Sequence, residues 1–66
     1  MITVGDVEAE VQIINDIRGD DEAAHSREDR LRQEVLEAIA EGSEDAQDLA
    51  TAVLKTSEIK FTRWCA

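Results

Sequence analysis

Val4, Val7, Val11, Ile14 and Ile17 recur at spacings of three and four, the repeat that places side chains on one face of an α-helix. A strand would need strict alternation, which Glu8, Glu10 and Asn15 break. Two start signals agree with the helical reading. Thr3 and Asp6 have the spacing of a capping box with Asp in place of the usual Glu, and Ile2 and Val7 stand where a hydrophobic staple closes over such a cap. The spacing predicts a first helix over 4–18, ended by Gly19 in the left-handed conformation.

The next segment predicts a second helix over 21–41. Asp20 or Asp21 would cap it, since acid in the first turn suits the positive end of the helix dipole, whereas Ser26 with Asp29 would cap a shorter version. Leu31, Val35, Ala38 and Ile39 form its apolar stripe, widened by Leu36. Gly42 ends it and Ser43 caps a third helix over 44–55, with Ala46, Leu49, Ala50, Val53 and Leu54 buried. The fold class is therefore all-α, a single small three-helix domain.

Residues 56–66 change character. Ile59 and Phe61 alternate with Lys60 and Thr62, as in a short extended segment, and Trp64 follows. Residues 1–48 hold fifteen Asp/Glu against four Arg, whereas residues 49–66 hold Glu58 against Lys55, Lys60 and Arg63. The base-rich stretch is thus also the aromatic one. It is read as a C-terminal arm packed on the helices, with Phe61 buried, Trp64 partly exposed and Arg63 outward. Arginine and aromatic side chains dominate interface hot spots, so Lys60, Arg63 and Trp64 are the candidate partner-binding residues.

A chain of 66 residues buries only about 60% of the surface its unfolded form exposes, so its stability is marginal. Chains this small usually add disulfides, a metal or a second subunit. Cys65 is the only cysteine and His25 the only histidine, too few for an internal disulfide or an ordinary zinc site. Self-association or a partner is the expected supplement, and no cofactor is expected. No stretch approaches the ~20 apolar residues that cross a bilayer, and the N-terminus lacks a basic region followed by an apolar run. The expected location is cytoplasmic. A net charge of −9 repels phosphates and anionic lipids, which argues against direct nucleic-acid or membrane binding.

Four features invite a chemical reading. Glu22 and His25 have the Glu-x-x-His spacing of di-iron bundles, yet such sites need that motif twice with further glutamates. Asp21 and Asp29, four residues either side of His25, make a carboxylate-supported surface residue the simpler reading. Arg18-Gly19-Asp20 spells an adhesion tripeptide, but Gly19 already has a role as helix terminator. Cys65 has no neighbouring base to activate it. Acidic helices can imitate the phosphates of a nucleic acid; the mixed signs between Arg27 and Glu34, with Glu28 and Arg32 in the favourable i,i+4 order, dilute such a pattern. No catalytic constellation emerges, and the chain reads as non-enzymatic.

The run Asp21-Glu22-Ala23-Ala24-His25-Ser26, then Val35-Leu36-Glu37-Ala38-Ile39-Ala40-Glu41-Gly42, and finally Lys55-Thr56-x-x-Ile59-x-Phe61-x-Arg63-Trp64 resembles small uncharacterised proteins of actinobacteria and their phages. The resemblance covers residues 20–66, and its most specific part is the C-terminal string. It implies an intracellular bacterial setting, with the chain encoded by the bacterium or by a phage, and carries no activity or site residues. The expected function is a protein-binding module acting by occlusion or scaffolding. The competing expectations are a structural homo-oligomer, an acidic nucleic-acid mimic and a metal-binding helical protein.

Overall fold

The computed structural model describes residues 1–63. Three helices run α1 (Val4–Asp16), α2 (Asp21–Ala40) and α3 (Ala46–Leu54), followed by a 3-10 turn at Lys55–Glu58 and an extended segment over residues 59–63. Each helix packs on the other two. The molecule measures 34 × 19 × 16 Å, its long axis matching the ~30 Å span of a 20-residue helix.

α1 starts as its residues dictate. The Thr3 side chain accepts the Asp6 N–H at 3.1 Å and the Asp6 carboxylate accepts the Thr3 N–H at 3.1 Å, closing the capping box. α2 is the long version: Asp20 accepts the Ala23 N–H at 3.1 Å, and Asp21 and Glu22 occupy the first turn.

Two turn expectations are corrected. Gly19 does not adopt positive φ; among the described residues only Gly42 does, at 90°. α1 ends without a left-handed residue because the Asp20 N–H reaches Ile17 O at 2.9 Å and the Arg18 guanidinium caps Asn15 O at 2.7 Å. A Cβ at Gly19 would meet nothing within 4 Å. Gly42 is different: its φ strains any L side chain, and the turn it makes lets the Ser43 N–H return to Ala38 O at 3.1 Å. Ser43 then accepts the Asp45 N–H at 3.3 Å in the loop, and α3 begins at Ala46 rather than at 44.

The core holds Val7 and Ile14 from α1, Ala24, Leu31, Val35 and Ala38 from α2, Leu49, Ala52 and Val53 from α3, and Ile59 from the extended segment. Phe61 packs partly buried against it. The arm therefore docks on the helices as expected, with the 3-10 turn leading into its extended segment. Two expected core residues are surface residues: Leu36 is 65% exposed and Leu54 58%. They lie on the outer flanks of their helices, beyond the width of stripe that two neighbouring helices can cover. Ala52, absent from the expected α3 face, takes the buried place.

Candidate functional site

Two polar residues of the arm, Thr56 and Arg63, turn inward. Glu28 lies on the same α2 face as Ala24, Leu31, Val35 and Ala38, at spacings of three and four, and is buried with them. A carboxylate in that stripe needs a cation, and Arg63 supplies it from the arm. The Arg63 Nε donates to Glu28 Oε1 at 3.0 Å and its Nη2 to Oε2 at 2.9 Å, a two-pronged ion pair of the strong geometry. The same Nη2 also donates to Thr56 O at 2.8 Å and Ile59 O at 3.1 Å. The guanidinium carbon sits 3.9 Å from the centre of the Phe61 ring, a cation–π stack.

Around this pair the buried Thr56 ties three elements together. Its hydroxyl donates to Val53 O at 2.9 Å and accepts from Arg32 Nη2 at 3.0 Å, while Arg32 also reaches Ser57 Oγ at 3.0 Å. The Thr62 N–H donates to Asp21 at 3.0 Å, pinning the arm near the start of α2. Burial pushes the Glu28 carboxyl up, but the hydrogen bonds and charge of Arg63 and the charge of Arg32 outweigh it and leave Glu28 below the ordinary glutamate value.

Arg63, expected to point outward, instead turns inward and anchors a structural latch. Lys60 is exposed on the arm; Trp64 lies outside the described residues, as does Cys65. The expected Glu28–Arg32 pair is present but loose, at 3.9 Å. Sequence reasoning gave Glu28 to an exposed ion-pair face; the missed signal is its place in the α2 seam.

The remaining chemical candidates separate. Among the described residues no three His, Cys, Asp or Glu side chains gather as a metal site. Glu22 is exposed, His25 Nε2 lies 3.4 Å from Asp29, and Asp21 is taken by the arm. His25 Nδ1 is buried with no hydrogen-bond partner among the described residues. The charged residues of Arg18-Gly19-Asp20 serve the ends of α1 and α2. Arg27 and Glu10 cross-link α2 to α1 through contacts of 2.6 and 3.0 Å. No described helix is long and apolar enough to cross a membrane.

What stands open is an apolar groove of about 210 Å³ between α2 and α3, lined by Arg32, Val35, Leu36, Ile39, Ala50, Val53 and Leu54. Its two leucines are the surface residues displaced from the expected core. Comparison with protein-family models, curated proteins and solved structures gives no match.

Proposed function

We propose that the chain is a non-enzymatic protein-binding module whose recognition surface is the α2–α3 groove, with the arm acting as a strap that completes the fold. The observation that carries this reading is the pair Leu36 and Leu54, each more than half exposed beside a groove with an apolar floor. Leaving two leucines more than half exposed forgoes a good part of the roughly 1.5–3 kcal/mol that full burial of each supplies, which matters for a 66-residue domain of marginal stability. Contiguous apolar surface rimmed by polar residues marks interaction sites, and a helix laid in such a groove is a recurring mode of protein recognition. A phage-encoded modulator that occludes a host protein is one concrete form.

Affinity capture from bacterial lysate tests it. The unmodified chain should retain a discrete protein that Leu36→Glu and Leu54→Glu lose, while both variants keep the helical circular dichroism of the parent, because the substituted positions face solvent. Capture unaffected by either change but abolished by Lys60→Ala would return recognition to the arm.

A further inference from the structure

Resting on that reading, we infer that the groove's occupant is an amphipathic helix of another protein that carries an Asp or Glu beside its apolar stripe, the carboxylate pairing with Arg32.

Arg32 is the only charged residue in the groove's lining, and the chain neutralises it only weakly. Its ion-pair partner Glu28 lies 3.9 Å from its Nε and accepts its hydrogen bonds from Arg63 instead. Among the described residues Arg32 donates to two neutral hydroxyls, Thr56 Oγ1 and Ser57 Oγ, each at 3.0 Å, and its Nε has no partner. Two guanidiniums thus share one carboxylate, which leaves a positive charge at the end of the groove nearest the 3-10 turn. The two hydroxyls hold the Arg32 side chain in place while 39% of it stays exposed. A fixed, accessible cation beside an apolar floor is the complement of a carboxylate on an apolar stripe.

The other two concavities among the described residues turn such a segment away. One presents Glu34, Glu37 and Glu41 with no arginine or lysine in its lining. The other sets Arg27 and Arg30 against Asp6, Glu10 and Glu34, and Arg27 is already bound to Glu10 at 2.6 and 3.0 Å. In a chain of net charge −9, the groove is therefore the concave face that admits a carboxylate, and a lysine or arginine in its place would meet Arg32 as a like charge. Helix suits the groove better than extended chain. An extended segment needs backbone hydrogen-bond partners, which the internally bonded α2 and α3 do not offer, whereas a helix arrives with its own bonds made.

Selection against the full chain from a display library of helix-forming peptides with randomised surface positions tests the inference. Peptides that bind the parent but not the uncharged double variant Leu36→Ala, Leu54→Ala are the groove's occupants. Beside their apolar stripe Asp and Glu should outnumber Lys and Arg. Replacing the selected carboxylate by Gln in the peptide should weaken binding to the unmodified chain roughly three- to tenfold at ~0.15 M salt, with most of that difference gone at ~1 M salt. Arg32→Gln should erase the preference for acid, and Arg32→Glu should invert it, both with unchanged helicity. Groove-binding peptides with no excess of acid, or with a selected carboxylate whose change to Gln costs nothing, overturn the inference while the groove's binding role stands. If no selected peptide depends on Leu36 and Leu54, both fall together.

Discussion

Leu31→Ala is expected to leave the domain largely unfolded at 25 °C, whereas Leu36→Ala, little more than one helical turn away, should change its stability by no more than about 0.5 kcal/mol. Leu31 is 2% exposed and sits among residues of all three helices in the core. Truncating a buried leucine costs about 2–5 kcal/mol, because the lost burial is joined by the cavity left behind. A domain of this length has little more than that to lose. Leu36 faces water, so its truncation removes few contacts. Urea titrations followed by circular dichroism separate the two. Equal midpoints for both variants would mean that the α2 seam is misplaced.

Arg63→Ala is expected to cost about 2 kcal/mol and to reverse one component of the pH dependence. Breaking a buried ion pair by removing one partner typically costs about 3–5 kcal/mol, since the other charge is left buried without compensation. The lower figure applies because the Arg63 side chain is 34% exposed and Arg32 remains near Glu28. In the parent, Glu28 titrates below its unfolded value. The charged pair therefore contributes stability that is fully present above about pH 4.3, the unfolded glutamate value, and is lost as the pH falls through the lower folded value. Burial is the largest single influence on the Glu28 carboxyl, so without Arg63 it is expected to outweigh the remaining Arg32 charge and Thr56 hydrogen bond and to hold the carboxyl above its unfolded value, in which case Glu28 favours the folded state more as the pH falls. The difference in stability from the matching Glu28→Gln variant isolates this contribution from the other carboxylates. It should shrink on acidification in the parent and move in the opposite direction in the Arg63→Ala background. The same slope in both backgrounds would mean that Arg63 does not control the charge of Glu28.

The elements set by neighbours in sequence were legible. Thr3 and Asp6 cap each other across three positions, Asp20 sits just ahead of the turn it caps, and the seams Val7–Ile14 and Leu31–Val35–Ala38 follow from helical period alone. What periodicity does not carry is the extent of a neighbour's cover. Leu36 and Leu54 have the right spacing to widen a stripe, but that stripe is buried only if another helix reaches over it, and here none does. Glu28 and Arg63 meet across 35 positions, so neither local charge spacing nor arm composition revealed the pair. Once Glu28 is seen to share the face of Ala24 and Leu31, a cation from elsewhere is required, and the basic arm is the place to seek it. Gly19 was misread for a related reason: the turn is closed by Asp20 and Arg18, so the left-handed conformation glycine makes available goes unused.

The surface that does the binding can be read directly from methyl-resolved NMR spectra of the chain as its bound partner is titrated in. The methyl signals of Leu36, Ile39 and Leu54 should shift, while those of Ile14 and Ile59, held in the core, stay in place. Shifts concentrated at Ile59 and the Phe61 ring, with Leu36 and Leu54 unmoved, would contradict the α2–α3 groove as the recognition surface and assign that role to the arm.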